Sequence, residues 1–587
     1  MTATRQQGGS FLFGGLDPAD VLVPEALDAE HREIARTTRD FATREVKPQR
    51  EALERHEWEV ARRLLRRAGE IGLSGVEVPE AYGGLELDRP TAAVVSQELA
   101  AGGASFGITF GVHTGIGLMP IVYFGSPEQK RRYLPRLVAG ELVCAYALTE
   151  PGSGSDALAA RTTARLSPEG THYILNGTKQ WITNAGFADL YVVYAKVDGG
   201  QFSAFLVERA SPGVGVGPEE KKTGYSGSST AQLILQDVRV PVENALHQVG
   251  KGHQVAFNTL NIGRFKLAPA CLGGCINILG LSTRYAQERQ QFGRPIASFR
   301  LIQQKLAAMA IRTYALEALT YRLAALMDDA TRGLDLAGAA GDRAATALAE
   351  FAIECSIAKV FASEVLDYVV DEGVQIHGGY GYMREYEVEN AYRDSRVNRI
   401  FEGTNEINRL LIPGTLFRRL GQGQSATTDA MAGAAHELAR LAGLPEHERP
   451  LPEVGRALFW TVAGLALRAH PQGLEEEQET LTCLADIAIQ TFAAESALAR
   501  AARAQTGQGA ERAATHRLLA DAFAADALRQ LATRAEDALA YLGDGVGGRE
   551  ALAALRRLSQ AGPANRVQTG RQVAEQVLAA GGWPFGR

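Results

Sequence analysis

Glu402 stands in the run Arg399-Ile400-Phe401-Glu402-Gly403-Thr404-Asn405-Glu406-Ile407-Asn408-Arg409, between two apolar residues and a Gly-Thr turn. A carboxylate beside Ile400 and Phe401 sheds water more easily than one on a charged surface. Desolvation raises its pKa toward neutrality, where a general base works best. Gly403 offers a backbone N–H that a ligand can approach closely, because no Cβ blocks it. Read alone, such a Glu is more often a helix cap or a salt-bridged surface residue, with Arg399 and Arg409 as its partners.

Other segments carry weaker chemical signals. Ala145-Tyr146-Ala147-Leu148-Thr149-Glu150 is a β run that closes in Pro151-Gly152-Ser153-Gly154-Ser155, whose hydroxyls and glycine amides could bind phosphate or a flavin ring edge. Gly177-Thr178-Lys179-Gln180-Trp181-Ile182-Thr183 puts an aromatic and a hydroxyl on a strand, where a Trp is usually core. His377, before Gly378 and Gly379, could act as an acid or a ligand, but a structural hydrogen bond to nearby backbone is the commoner role. Cys271 and Cys275 share a helix face, yet two thiols without further ligands are more often small core residues than a metal site. No metal is expected, and no Gly-x-Gly-x-x-Gly fingerprint follows a predicted strand.

The elements that must position these residues read as mainly α with a central β domain. At 587 residues the chain exceeds one core. Residues 25–142 show apolar residues at helical spacing, as in His31-Arg32-Glu33-Ile34-Ala35-Arg36, and read as an N-terminal helical domain. Residues 143–250 alternate short β-type runs with Gly, Asn, Asp and Pro and read as a β domain. Residues 251–415 return to long Ala- and Leu-rich periodic segments, a bundle of long helices. Gly421-Gln422-Gly423-Gln424-Ser425-Ala426-Thr427-Thr428 is a linker by composition, and 430–587 reads as a helical extension with amphipathic stretches at Glu475 to Arg500 and Ala510 to Leu542. The extension is expected to cover apolar surface on the core or on a partner subunit. A net charge of -6 gives no polyanion-binding surface, so nucleic acid is not expected as a partner. The five cysteines form no Cys-x-x-Cys pair, the N-terminus has no signal-peptide run, and no segment approaches a membrane span. A reducing, cytoplasmic setting follows as the default.

Taken together, Phe401-Glu402-Gly403-Thr404-Asn405-Glu406-Ile407 and four other segments resemble the acyl-CoA dehydrogenase family, in order over residues 25–415. The resemblance implies a helical domain, a β-barrel domain and a four-helix bundle, with FAD as cofactor. It implies that Tyr146, Leu148, Thr149, Ser155, Trp181, Ile182 and Thr183 contact the flavin, and that Ser155 also faces the CoA portion. Asn258-Thr259-Leu260-Asn261-Ile262-Gly263-Arg264-Phe265 resembles the helix that carries a substrate-contacting polar residue and an Arg, here Asn261 and Arg264; Gly403 joins them at the substrate. Arg289-Gln290-Gln291-Phe292-Gly293-Arg294-Pro295-Ile296, with Phe299, resembles the loop that reaches the FAD of a neighbouring subunit. Gln375-Ile376-His377-Gly378-Gly379 resembles the turn against the adenosine-diphosphate part of that flavin, and Thr404, Asn405 and Glu406 complete the cofactor set. Two features depart from the family pattern: Arg300 stands where Gln after Phe299 is common, and the tail beyond Gly421 exceeds the usual length. That tail, with Ser10-Phe11-Leu12-Phe13-Gly14-Gly15 and Asn261 to Phe265, is similar to the very-long-chain branch.

The implied reaction is α,β-dehydrogenation of a long-chain fatty acyl-CoA to a trans-2-enoyl-CoA, with electrons passed to an electron-transferring flavoprotein. Glu402 would take the α-proton. Some relatives place the base at the residue before the helix Arg; here that is Gly263, which has no side chain. Gly107 and Gly111 fall four apart and share one helix face, so they either deepen an acyl channel or serve close helix packing. An acyl-CoA oxidase using oxygen and a respiratory-complex assembly protein are the competing readings. By resemblance the chain is expected to form a homodimer, with peripheral membrane contact through the tail as a further role.

Overall fold

The computed structural model describes residues 6–338, 340–420, 426–445, 449–543, 546–559 and 565–585. The chain opens with seven helices, α1 (Ala29–Phe41), α2 (Arg50–Glu54), α3 (Trp58–Glu70), α4 (Arg89–Leu99), α5 (Ala104–Gly111), α6 (Met119–Phe124) and α7 (Pro127–Val138). Local chemistry sets their starts. Asp28 caps α1 by accepting from the His31 N–H, Asp88 caps α4 through Thr91 N–H, and Ser126 with Gln129 forms a capping box on α7. A π-helical turn, Val112–Gly117, follows α5.

The β region contains β1 (Cys144–Ala147), β2 (Thr163–Leu166), β3 (His172–Thr183), β4 (Leu190–Val197), β5 (Gln201–Glu208), β6 (Val214–Val216), β7 (Thr230–Pro241) and β8 (Ala245–Leu246). They form a mixed sheet in the order β6-β7-β3-β2-β4-β5-β8, with β1 parallel to β4. The period of two along β4 divides it between two cores: Leu190, Val192 and Tyr194 face the helical core, while Tyr191, Val193 and Ala195 face the sheet's other core. The β3–β7 ladder shifts register between Lys179 and Ile182, and this irregularity holds Trp181 at φ 55 and turns its ring out to solvent.

The second helical region is built from α8 (Gly252–Glu288), α9 (Arg300–Thr331), α10 (Gly341–Ala349), α11 (Ala352–His377), α12 (Glu387–Ser395) and α13 (Asn405–Leu420). A two-stranded hairpin, Gln290–Gln291 with Arg294–Pro295, joins α8 to α9. Helices α14 (Ala426–Gly443), α15 (Leu451–Ala469), α16 (Gln478–Gly507), α17 (Ala510–Leu542), α18 (Val546–Ser559) and α19 (Arg566–Ala580) make the extension. Residues 421–425 of the expected linker lie outside the described residues, whereas Ala426, Thr427 and Thr428 belong to α14. One apolar cluster runs from the bundle into the extension, with Phe361 on α11 meeting Phe523 on α17 edge to face at 5.8 Å.

One sequence expectation is corrected. Ala104–Phe124, Gly252–Glu288 and Gln478–Gly507 are long and apolar enough, by length and composition, to cross a membrane. Most of each lies inside the protein, so burial among other helices accounts for their apolar character.

Candidate functional site

Glu402 sits in the turn before α13 with φ 56, followed by Gly403 at φ 80. A non-glycine residue enters this region at a cost, and surrounding contacts must hold it there. They come from two helices and from α13 itself. Arg264 Nε donates to the Glu402 carbonyl at 3.1 Å, Lys359 Nζ to the Gly403 carbonyl at 2.7 Å, and Asn408 Nδ2 to the Gly403 and Thr404 carbonyls at 2.8 and 3.0 Å. The backbone is thus clamped while the carboxylate is left unengaged: Oε2 is buried and accepts no hydrogen bond among the described residues.

Burial pushes the Glu402 carboxyl up to about 7, against the opposing pull of Arg264 and Lys359. Arg399 and Arg409, expected as its partners, are engaged elsewhere. Arg399 pairs with Asp367 at 3.1 Å, and Arg409 with Glu364 and Asp486 at 2.7 Å each, because the turn directs both side chains away from the carboxylate. Gly263 makes room for that carboxylate: a Cβ there would stand 2.5 Å from Oε2. A cavity of about 340 Å³ opens from this point, walled by Gly107, Gly111, Gly263, Leu267 and Phe401. A Cβ added at Gly107 or Gly111 would meet nothing within 4 Å, so neither glycine is explained by close helix packing.

Asn261 and Arg264 are buried on α8, with Arg264 Nη1 donating to Asn261 Oδ1 at 3.1 Å. Tyr146 lies close enough to feel the charges of Glu402 and Arg264, and burial holds its phenol protonated. Leu148 and Ile182 are buried, Thr149 and Thr183 half-buried, and the Gln180 N–H donates to the Thr149 carbonyl at 2.8 Å, so the ends of β1 and β3 adjoin. Trp181 is 62% exposed there, against the core position expected of a strand Trp taken alone. Ser155 is exposed in its loop, just after Gly152 and Gly154, whose missing side chains face open space.

Arg289, Gln291, Phe299, Gln375, Ile376, His377, Gly378 and Gly379 form a second group. The Arg289 guanidinium lies 5.4 Å from the Tyr380 ring, joining the hairpin to the turn after α11. His377 donates through Nδ1 to the Gly373 carbonyl, 2.7 Å away, and stacks on Tyr285, which is the structural role its context suggested. Arg264 and Arg289 are separated by twenty-five residues of essentially continuous helix, roughly 38 Å, so within one chain the two groups do not line a single site. Thr404 caps α13 through the Ile407 N–H, and Glu406 is exposed. Asn405 is buried and engaged by Lys359, Ser363 and Glu364. Sequence reasoning passed over Lys359, whose only signal is a lone ammonium in the apolar run Ile357-Ala358-Lys359-Val360-Phe361.

The residues fit a flavin dinucleotide. An outward-facing Trp181 offers a face for a planar ring, and bare backbone at Gly378 and Gly379, with open space where side chains would stand, suits close approach by a phosphate-bearing ligand. Among the described residues no cluster of His, Cys, Asp or Glu could hold a metal.

Comparison with known proteins bears on the same residues. The acyl-CoA dehydrogenase N-terminal, middle and C-terminal domain families match residues 28–141, 145–238 and 250–416, and a further acyl-CoA dehydrogenase C-terminal domain family matches 455–557. The chain is 47% identical over 587 residues to a probable acyl-CoA dehydrogenase of Bacillus subtilis, covering 98% of each. It is 38% identical over 495 residues to the human mitochondrial very long-chain specific acyl-CoA dehydrogenase, covering 79% of this chain and 73% of that one. A crystal structure of acyl-CoA dehydrogenase complexed with FAD from Bacillus anthracis superposes with a TM-score of 0.95 at 47% identity, covering 98% of this chain and 100% of that one.

Proposed function

Since this chain belongs to the acyl-CoA dehydrogenase family and is an FAD-dependent oxidoreductase, we propose that it dehydrogenates long-chain fatty acyl-CoA at the α and β carbons, with Glu402 as the base and an electron-transferring flavoprotein as acceptor. The observation that carries this reading is the unengaged Glu402 carboxylate, with its pKa near 7, at the head of an apolar cavity.

Bound FAD, held by Tyr146, Leu148, Thr149, Ser155, Trp181, Ile182 and Thr183, supplies the acceptor for the β-hydrogen as hydride. The rest falls to this chain. Glu402 accepts the α-proton as the α C–H bond breaks and the new double bond forms. Its backbone N–H, with Gly403 beside it, polarises the thioester carbonyl in this reading, which lowers the cost of charge on the oxygen. Arg264 and Asn261 orient the acyl-CoA at the same turn, and the apolar wall excludes water. The length of the cavity and likeness to a very long-chain specific relative support a long acyl chain.

The second group, Arg289 to Phe299 and Gln375 to Gly379, lies too far along α8 to serve the same flavin, which supports a homodimer in which each copy completes the other's cofactor site. The five unpaired thiols support a reducing cytoplasmic setting. Anaerobic addition of palmitoyl-CoA should bleach the yellow flavin spectrum, and electron-transferring flavoprotein should restore it. No bleaching by any acyl-CoA overturns the reading; rapid restoration by oxygen instead replaces the proposed acceptor.

A further inference from the structure

Along α8, Gly263, Leu267, Ala270, Gly274 and Asn277 follow one another at spacings of four, three, four and three residues, so they share one face. All line the cavity that begins at Glu402. The face is small or apolar as far as Gly274 and then turns polar at Asn277, fourteen residues beyond Gly263, or roughly 21 Å at the helical rise. Helix α12 meets this distal end with Glu387, Asn390 and Asp394, spaced to share one of its own faces and also lining the cavity.

The amides of Asn277 and Asn390 are half-buried and have no hydrogen-bond partner among the described residues. The cations that line the cavity are already paired, Lys266 with Glu77 among them. Lys47 pairs with Glu387 at 2.6 Å, Arg50 with Glu54 at 3.0 Å, and Asp394 accepts from the Tyr225 N–H at 2.5 Å. A methyl-terminated chain reaching this point would lie against amides it cannot satisfy, and a second carboxylate would meet Glu385, Glu387 and Asp394 with no unpaired cation among the described lining residues to balance it. A neutral group that both donates and accepts suffers neither penalty.

We propose that Asn277 and Asn390 form a distal subsite that takes long-chain acyl-CoA bearing a hydroxyl at or near the far end of the chain. This rests on the acyl-CoA reading above and names a substrate class within it. The chemistry at the α and β carbons is unchanged; only recognition of the remote end differs.

The test compares kcat/KM for ω-hydroxypalmitoyl-CoA, palmitoyl-CoA and the matching ω-carboxy thioester in the holoenzyme and in Asn277→Leu and Asn390→Leu. The wild type should use the hydroxylated chain at least as well as the plain one and should disfavour the carboxylated one. Each Leu variant should lower the hydroxyl-to-methyl ratio roughly tenfold, the worth of one neutral hydrogen bond left unmade. The ratio is the readout because a folding defect lowers both rates together, and Asn390→Gln should recover part of it. A ratio unmoved in both variants, or a wild type that prefers the plain chain by tenfold or more, overturns the subsite while leaving the dehydrogenase reading intact. Failure of every acyl-CoA to bleach the flavin would instead remove the reading on which the subsite rests.

Discussion

Glu402 combines two properties that seldom coincide, a turn whose carbonyls accept five side-chain hydrogen bonds and a carboxylate with an unpartnered oxygen. Fixing the one allows the other to stay desolvated without wandering, which is what a positioned base requires. Glu402→Gln keeps the shape and the backbone N–H but cannot accept the proton. Single-turnover flavin reduction by palmitoyl-CoA should fall by about 10²–10⁴-fold, while Glu406→Gln, one helical turn on, should retain it. Because the base works deprotonated, the wild-type rate should rise with pH through about 7 and level above it. Lys359 is buried beside this turn, and its charge holds the Glu402 carboxyl below where burial alone would put it. Stopped-flow profiles of Lys359→Met should therefore show the midpoint displaced upward in pH; a lowered plateau with the midpoint unmoved would assign Lys359 a purely structural role. Glu402 was legible because the run Phe401 to Ile407 resembles a family motif; its apolar neighbours, contiguous with it, explain the desolvation but alone left a cap or a surface ion pair as the commoner reading. Lys359 was not, since only the packing of α11 against α13 brings it to the Gly403 carbonyl. Arg399 and Arg409 misled for the opposite reason: adjacency in sequence suggested ion pairs that the turn's direction forbids.

At the scale of the element, the periodicities were readable and their local breaks were not. The α–β–α order follows from spacing, but the register shift before Ile182 that exposes Trp181 depends on how β3 pairs with β7, a partner about fifty residues away. Helix α16 shows a related limit. The stretch from Glu475 to Arg500 reads as amphipathic, yet α16 is buried over most of its length, because α15 and α17 cover what sequence alone leaves facing solvent. Gly107 and Gly111 were open to two readings, and the empty space at both positions favours the channel. Gly111 has an ordinary helical φ and open space around the position of an added Cβ, so in Gly111→Leu the side chain should enter the cavity without disturbing the helix. Turnover of palmitoyl-CoA should drop far more than that of octanoyl-CoA, since overpacking a channel blocks only ligands that reach it. Steady-state rates for the two substrates decide the matter, and equal losses would point to a folding defect.

The whole molecule is closed by its two ends meeting on the extension. Phe11 packs edge to face on Phe492 of α16 at 4.9 Å, and Trp460 of α15 donates its indole N–H to the Leu12 carbonyl at 2.6 Å. Farther along, Arg500 is nearly inaccessible between Glu25 and Glu317 at 2.5 and 2.8 Å, so one cation ties the N-terminal segment, the bundle helix α9 and the extension together. Phe585 stacks on His516 of α17, beside Tyr314 of α9. The extension is therefore a cover over α9 and α11 rather than an appendage. Deleting residues 421–587 should expose Tyr314 and Phe361, both buried in the full chain, together with Arg322, which loses Glu495. Exposed apolar area of that kind drives association, so the truncated protein should aggregate or move from the proposed dimer to a tetramer, and its flavin should be lost at a lower temperature than in the full chain. Sedimentation velocity and flavin-fluorescence melting read both effects. A truncated protein that remains a well-behaved dimer with an unaltered melt would show that the extension contributes nothing to covering the core.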